Sequence, residues 1–334
     1  MQNVMVTGGA GFIGSHLCDA LIEEGKRVIC VDNLWRGDRN NIGHLMGHKN
    51  FVFFERDVRD QDAMEELLAD FSIEMVYHLA ANTDLWQSMT KPQIEHECTF
   101  DTTRVLLDAM KNQGVKNLFF ASTSVIYGEQ ADTKGFSEED MLLPISYYGA
   151  AKMASEAYIR AFAYMNDMNV LIYRFSNIVG SRMTHGVIRD FAERLLEDPT
   201  HLDVRGNGYQ TKPYLHVSEV VRAVMMHSLI EKGVNIYNVG ATTQTNVRFI
   251  AGAVLNELGL VNIPIHYEEK SSGWKGDVAR YEYNVEKIRS KGWFAQMNSN
   301  ETIICAVKEI VAECRKRNGE PGDAIIQPAY CPCQ

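Results

Sequence analysis

Tyr148 and Lys152 stand four positions apart in the run Tyr148-Gly149-Ala150-Ala151-Lys152. On a helix, residues at this spacing share a face one turn apart. A tyrosine with a pKa of about 10 is ionised in only about one molecule in a thousand at neutral pH, a handicap of about 4 kcal/mol for a base. A nearby ammonium or other positive charge removes much of that handicap, so the pair is a candidate acid/base couple. Upstream, Phe120-Ala121-Ser122-Thr123-Ser124-Val125-Ile126-Tyr127-Gly128 brings three hydroxyls to the end of an apolar run. Thr123 is the candidate for orienting a reacting hydroxyl. Ser122 and Ser124 either join it or bond the local backbone.

A second constellation lies at the amino terminus. Thr7-Gly8-Gly9-Ala10-Gly11-Phe12-Ile13-Gly14 follows an apolar run and opens an amphipathic one. Gly8 and Gly11 allow a backbone to approach a pyrophosphate, Gly14 allows a helix to pack tightly on a strand, and the helix start faces the anion. Asp32, with Asn33 beside it, closes the second apolar run about where a ribose-binding acid belongs. A carboxylate there accepts ribose hydroxyls and repels a 2′-phosphate, which favours NAD over NADP. Arg36 and Arg39 read as a solvated loop that leaves NADP a residual route. Asp57-Val58 is placed to line an adenine pocket.

These residues need a scaffold that gathers strand ends. The segments Val4 to Thr7, Arg27 to Asp32, Phe51 to Arg56, Met75 to Leu79, Asn117 to Ser122 and Val170 to Phe175 read as strands with helical patterns between them. Such alternation predicts an α/β fold, a doubly wound parallel sheet with helices on both faces and ligands beyond the strand carboxyl ends. A helix from about Tyr147 to Met165 carries the acid/base pair. After about Asn177 the rhythm changes: helices near Val187 to Leu196 and Ser218 to Ile230, and strands near Leu202 to Arg205 and Asn235 to Val239. A final helix, Glu301 to Arg317, shows an apolar stripe at Ile303, Ile304, Val307, Ile310 and Val311. The expected organisation is a dinucleotide domain over 1–176, an interleaved smaller α/β lobe over 177–317 that holds substrate, and a loosely held tail over 318–334.

Bulk properties narrow the function. A 334-residue chain that is 46% hydrophobic holds a sizeable core. Its net charge of -10 argues against nucleic acid as the main partner. No run is long enough to span a bilayer, and the start reads as a buried strand and not a signal peptide. Seven cysteines, with Cys18, Cys30, Cys98 and Cys305 inside apolar segments, suit reduced thiols in a cytoplasm. Cys331 and Cys333 lack further ligands nearby, and no metal is expected.

Together the glycine loop, Asp32, Asp57-Val58, His78-Leu79-Ala80-Ala81, Ser122-Thr123, Tyr148 with Lys152, and Arg174-Phe175-Ser176-Asn177 resemble the extended short-chain dehydrogenase/reductase family, in its nucleotide-sugar epimerase and dehydratase branch. Thr184-His185-Gly186-Val187-Ile188, Gly206-Asn207-Gly208-Tyr209-Gln210, Tyr214-Leu215-His216-Val217 and Gly273-Trp274-Lys275-Gly276-Asp277-Val278 look like its UDP-glucose 4-epimerase-like members. The resemblance implies that Leu79, Ala80 and Ala81 line the cofactor and that Asn177 and the segment around Val187 hold the diphosphate and base. Lys152 would grip the nicotinamide ribose. It also implies a homodimer paired through the Tyr148 helix, whose Met153, Ala157, Ile159, Ala161 and Ala163 could equally be buried in the monomer.

The chain departs from that pattern in three places. Thr99-Phe100-Asp101-Thr102-Thr103 replaces a usual Asn-Val-x-Gly-Thr. Trp274-Lys275-Gly276-Asp277 replaces Arg-x-Gly-Asp, leaving Lys275 or Arg280 as substitutes. Lys212 stands where arginine is usual and offers a point charge without a bidentate fork.

The expected reaction is oxidation of a nucleotide sugar at C4 with bound NAD, then reduction from the other face, which is 4-epimerisation. A dehydratase or decarboxylase would use the same keto intermediate. The family's dehydratases carry Asp-Glu after the threonine, where this chain has Ser124 and Val125, so dehydration would need another donor such as Glu129. The alternative of another class is a non-catalytic NAD sensor or scaffold.

Overall fold

The computed structural model describes residues 2–129, 135–226, 231–271, 273 and 276–318. Seven strands form one wholly parallel sheet. In chain order they are β1 (Asn3–Thr7), β2 (Arg27–Asp32), β3 (Phe51–Glu55), β4 (Met75–His78), β5 (Asn117–Thr123), β6 (Asn169–Phe175) and a last strand, Val234–Val239. The spatial order is Val234–Val239, β6, β5, β4, β1, β2, β3. The chain winds outward in both directions from β1, which opens a crevice at the carboxyl ends of β1 and β4.

The apolar strands explain why both faces are covered. Val4, Val6, Val28, Cys30, Tyr77 and Phe119 enter one core layer, while the alternating Met5, Ile29, Val31, Val76, Leu118 and Phe120 enter the other. The first layer is closed by the helices Phe12–Glu23 and Val217–Met226, through Leu17, Leu21, Val220 and Val224. Gln61–Asp70, Asp101–Asn112 and Tyr147–Asn166 close the second, through Met64, Leu106 and Ile159.

The remaining segments form a lobe with its own core. Helices Val187–Glu197, Val247–Leu258 and Ser299–Arg317 pack together through Phe191, Leu195, Ile250, Val254, Ile303, Val307 and Ile310. Short strand pairs bind it, including Asn177–Val179 with Tyr214–His216 and Leu202–Val204 with Ile265–Tyr267. The large sheet takes its edge strand, and one covering helix, from beyond residue 176, so the two units cross in sequence.

The strand and helix expectations hold to within a residue or two at most ends. Ile304 is a correction: it is 45% exposed, and Thr302, Ala306 and Cys314 complete the buried face of the last helix instead. That helix starts two residues before the expected Glu301, where the Asn298 side chain and Glu301 form a capping box. The expected end of the Ser218–Ile230 helix at 227–230 and the tail from 319, with Cys331 and Cys333, lie outside the described residues. Among the described residues no helix is long and apolar enough to cross a membrane.

Candidate active site

At the crevice, one cavity of about 260 Å³ is lined by Gly8, Gly11, Phe12, Ile13, Gly14, Asp32, Asn33, Asp57, Val58, Leu79, Ala80, Ala81, Tyr148 and Lys152, among others. Every residue expected to bind the cofactor thus faces one space. The glycine loop is compact enough to leave that space open: a Cβ on Gly14 would lie 2.2 Å from the Gly8 carbonyl oxygen. Asp32 is buried and holds the loop by accepting from the backbone N–H of Ala10 (3.0 Å) and Leu34 (2.8 Å). Burial pushes its pKa up, and these two bonds oppose the rise. Asn33 donates to Asp57 (3.0 Å). Two hydrogen bonds from Arg59 help hold the Asp57 carboxyl down at about 2, so it stays ionised on the cavity wall.

Tyr148 and Lys152 come from the Tyr147–Asn166 helix, which the Ser146 side chain caps by accepting from Gly149 N–H (3.1 Å). Gly149 is a requirement of the approach, because a Cβ there would lie 2.9 Å from the Val125 carbonyl oxygen. The helix start thereby sits against the turn that follows β5. Lys152 is 3% exposed and donates to the Ala121 carbonyl (2.7 Å), with its Nζ 4.6 Å from the centre of the Phe120 ring. Burial lowers its pKa to about 8, against the pull of Glu95 and Glu156. Burial, and next the Glu95 charge, raise the Tyr148 phenol well above its usual range.

The strand-end hydroxyls separate. Thr123 is buried at the end of β5, where its Oγ1 accepts from Val125 N–H (3.3 Å), and it lines neither of the two cavities of the site. Ser122 is turned from the expected role by chemistry: its hydroxyl donates to Glu156, a buried carboxylate that also binds Arg174 at 2.7 Å. Ser124 donates to the Tyr281 hydroxyl (2.9 Å), which also receives Asn177 Nδ2 (3.0 Å).

A second cavity of about 570 Å³ adjoins the first and is lined by Asn177, Val187, Lys212, Gln210, Tyr214 and Asp277 among others. Lys212 is ion-paired with Asp277. Arg280 departs from expectation: its side chain is 69% exposed, pairs with Glu282, and does not line this cavity. Lys275 lies outside the described residues. Arg36 departs in part: it lies in the loop after β2 with its side chain 32% exposed, but it also lines both cavities beside Asp84. Arg39 is exposed and pairs with Glu55.

Sequence reasoning missed Thr83, Asp84 and Trp86, which line the second cavity just past β4. The rule that ligands sit beyond strand carboxyl ends would have reached them had it been carried past Ala81. It also missed Glu95, which is 2% exposed and accepts from Asn82, Ser88 and Thr99. No periodicity marks a buried acid in a short irregular helix. Away from both cavities, His216, Cys305 and Glu309 cluster. Burial works against the His216 charge, but hydrogen bonds to Cys305 and Glu309 prevail and raise its pKa to about 9, so it sits there as the cation of an ion pair.

Comparison with known proteins agrees with this geometry. Residues 4–240 match the model of the NAD dependent epimerase/dehydratase family. A putative UDP-glucose 4-epimerase of Methanocaldococcus jannaschii is 30% identical over 305 residues, covering 90% of this chain and 95% of that protein. The UDP-glucose 4-epimerase of Thermotoga maritima, solved with UDP-glucose, superposes with a TM-score of 0.84 at 31% identity, covering 95% of this chain and all of that one (100%). The dTDP-glucose 4,6-dehydratase DesIV of Streptomyces venezuelae, solved with NAD, gives a TM-score of 0.84 at 25% identity, covering 95% and 98%. The chain belongs to the NAD-dependent epimerase/dehydratase family, and it is an enzyme whose cofactor is NAD.

Proposed function

We propose that the protein inverts C4 of a nucleotide sugar, a UDP-hexose, through a transient 4-keto sugar. NAD held by the glycine loop, Asp32 and Lys152 would supply the hydride acceptor, and then donor, for C4. Tyr148 takes the proton of the sugar 4-hydroxyl at its phenolic oxygen and later gives it back. Thr123 holds that hydroxyl oxygen, and Lys152 supplies the charge that makes the phenol a better acid. Asn177, Val187 and Lys212 bind the nucleotide diphosphate in the second cavity.

The observation that carries the reading is the Ser124–Tyr281 hydrogen bond. It engages the hydroxyl that stands where a dehydratase has an acid, while Val125 beside it has no titratable group. Glu129, one donor that dehydration could draw on, is exposed and lines neither cavity. The similarity to UDP-glucose 4-epimerases supports the choice of sugar nucleotide. Incubation with UDP-glucose and UDP-galactose, read by the C4 proton couplings, tests it. Interconversion is expected, and a panel of UDP-hexoses all left unchanged would refute it.

We also propose a homodimer through the Tyr147–Asn166 helix. Its Ile159 and Ala163 are spent on the monomer core, but Ala157 and Ala161 are exposed, and Tyr164 and Met165 are 86% and 76% exposed. Light scattering of the purified chain reads this directly. A cytoplasmic location is proposed from the free thiols Cys18, Cys30, Cys98, Cys305 and Cys314.

A further inference from the structure

Arg36, Thr83, Ile178, Met183 and His185 line both cavities. Arg36 is the permanent cation among them, and burial, then the Arg36 charge itself, lower the pKa of His185 and keep that ring neutral. The other cations on these walls are engaged or exposed: Arg59 makes two bonds to Asp57, Lys152 bonds Ala121, Lys212 pairs with Asp277, Arg194 pairs with Asp190, Arg56 bonds the Glu55 carbonyl, and Arg205 is exposed and lies over the Trp86 ring. Arg36 is held by one long contact, Nη1 to Asp84 Oδ2 at 3.3 Å. Its Nη2 has no acceptor among the described residues, and its Nε is buried without a partner. Asp84 is itself fixed, because its other oxygen accepts Gln87 N–H (2.9 Å) at the start of the Leu85–Thr90 helix.

The Arg36 side chain is 32% exposed, so the guanidinium combines a buried, unbonded Nε with an Nη2 open to the cavity side; such a group favours an anion, and its planar fork fits two phosphate oxygens. We infer that Arg36 is a diphosphate clamp at the seam between the cofactor cavity and the second cavity, steadied from behind by Asp84. NAD carries a diphosphate, and so does a nucleotide sugar. The clamp on the second ligand rests on the reading of that cavity given above, whereas the clamp on NAD does not.

The test uses the full chain as wild type, Arg36→Met and Arg36→Lys. NAD is titrated alone by calorimetry, then UDP-glucose with NAD saturating. Arg36→Met is expected to weaken one ligand or both tenfold or more, with Arg36→Lys intermediate because it keeps charge and loses the fork. Weakening by threefold or more in the first titration assigns the cofactor diphosphate, and in the second the substrate diphosphate. Less than threefold in every titration that the wild type supports overturns the clamp. If the wild type fails to bind UDP-glucose, the substrate reading has failed separately, and the NAD titration decides alone. Melting curves establish that each variant is folded, and should Arg36→Met melt early, Arg36→Lys is judged by the same threefold limit.

Discussion

The ammonium of Lys152 donates to the carbonyl oxygen of Ala121 at 2.7 Å, tying the helix that carries Tyr148 to the last residues of β5. One bond therefore joins the acid/base pair to the strand that ends in Thr123. It also fixes a charge in a place where charge is costly, and two predictions concern this acid/base pair.

The first concerns pH. Burial lowers Lys152 from 10.5 to about 8 in the ligand-free protein. A lysine with a lowered folded pKa destabilises the fold while it is charged, so the penalty is fully present below about pH 8. It is relieved as pH rises toward 10.5. The difference in melting temperature between wild type and Lys152→Met should thus move in favour of the wild type across that window. A difference independent of pH would refute the buried charge.

The second concerns the phenol. Tyr148→Phe keeps the ring at the cavity wall and removes only the oxygen. Turnover should fall about a thousandfold or more while NAD affinity stays within about threefold. Single-turnover kinetics and calorimetry separate the two effects. Turnover within about tenfold of wild type would remove Tyr148 as the base.

Asp32 combines recognition with structure. Its carboxylate accepts two backbone N–H groups, from Ala10 and Leu34. Asp32→Ala should cost about 1–3 kcal/mol in denaturant unfolding and weaken NAD about tenfold, with wild type preferring NAD to NADP. Tighter NADP binding by the wild type would contradict the role given to the carboxylate.

Beneath the site, Arg174 and Glu156 form an ion pair in which both side chains are about 5% exposed or less, and Ser122 adds a third group. Removing one partner of such a pair leaves a buried charge. Glu156→Gln should lose about 3 kcal/mol of stability, and Ser122→Ala about 1 kcal/mol with KM retained. A Ser122→Ala variant whose KM rises with stability unchanged would return Ser122 to the substrate.

The fold and the cofactor side were legible because they follow from short-range rules. A strand–glycine–helix junction, an acid at the end of β2, and a Tyr and Lys one turn apart each have one structural context that makes sense of them. The substrate side was less legible, because side-chain direction there depends on distant partners. Ser122 and Ser124 stand two apart on either side of Thr123, yet the first turns to Glu156 and the second to Tyr281, 157 residues away. Arg280 reads as a phosphate ligand in sequence and pairs with Glu282 in space. Arg36 reads as a solvated loop residue until Asp84, 48 positions on, is seen against it.

The central claim is that C4 is inverted by a hydride that leaves and returns without exchanging with water. Incubating the NAD-loaded enzyme with UDP-glucose in D2O, and measuring product mass and deuterium by mass spectrometry and NMR, tests it most directly. The account predicts UDP-galactose of unchanged mass with no deuterium at C4. A product lighter by one water, or one carrying deuterium at C4, would contradict it.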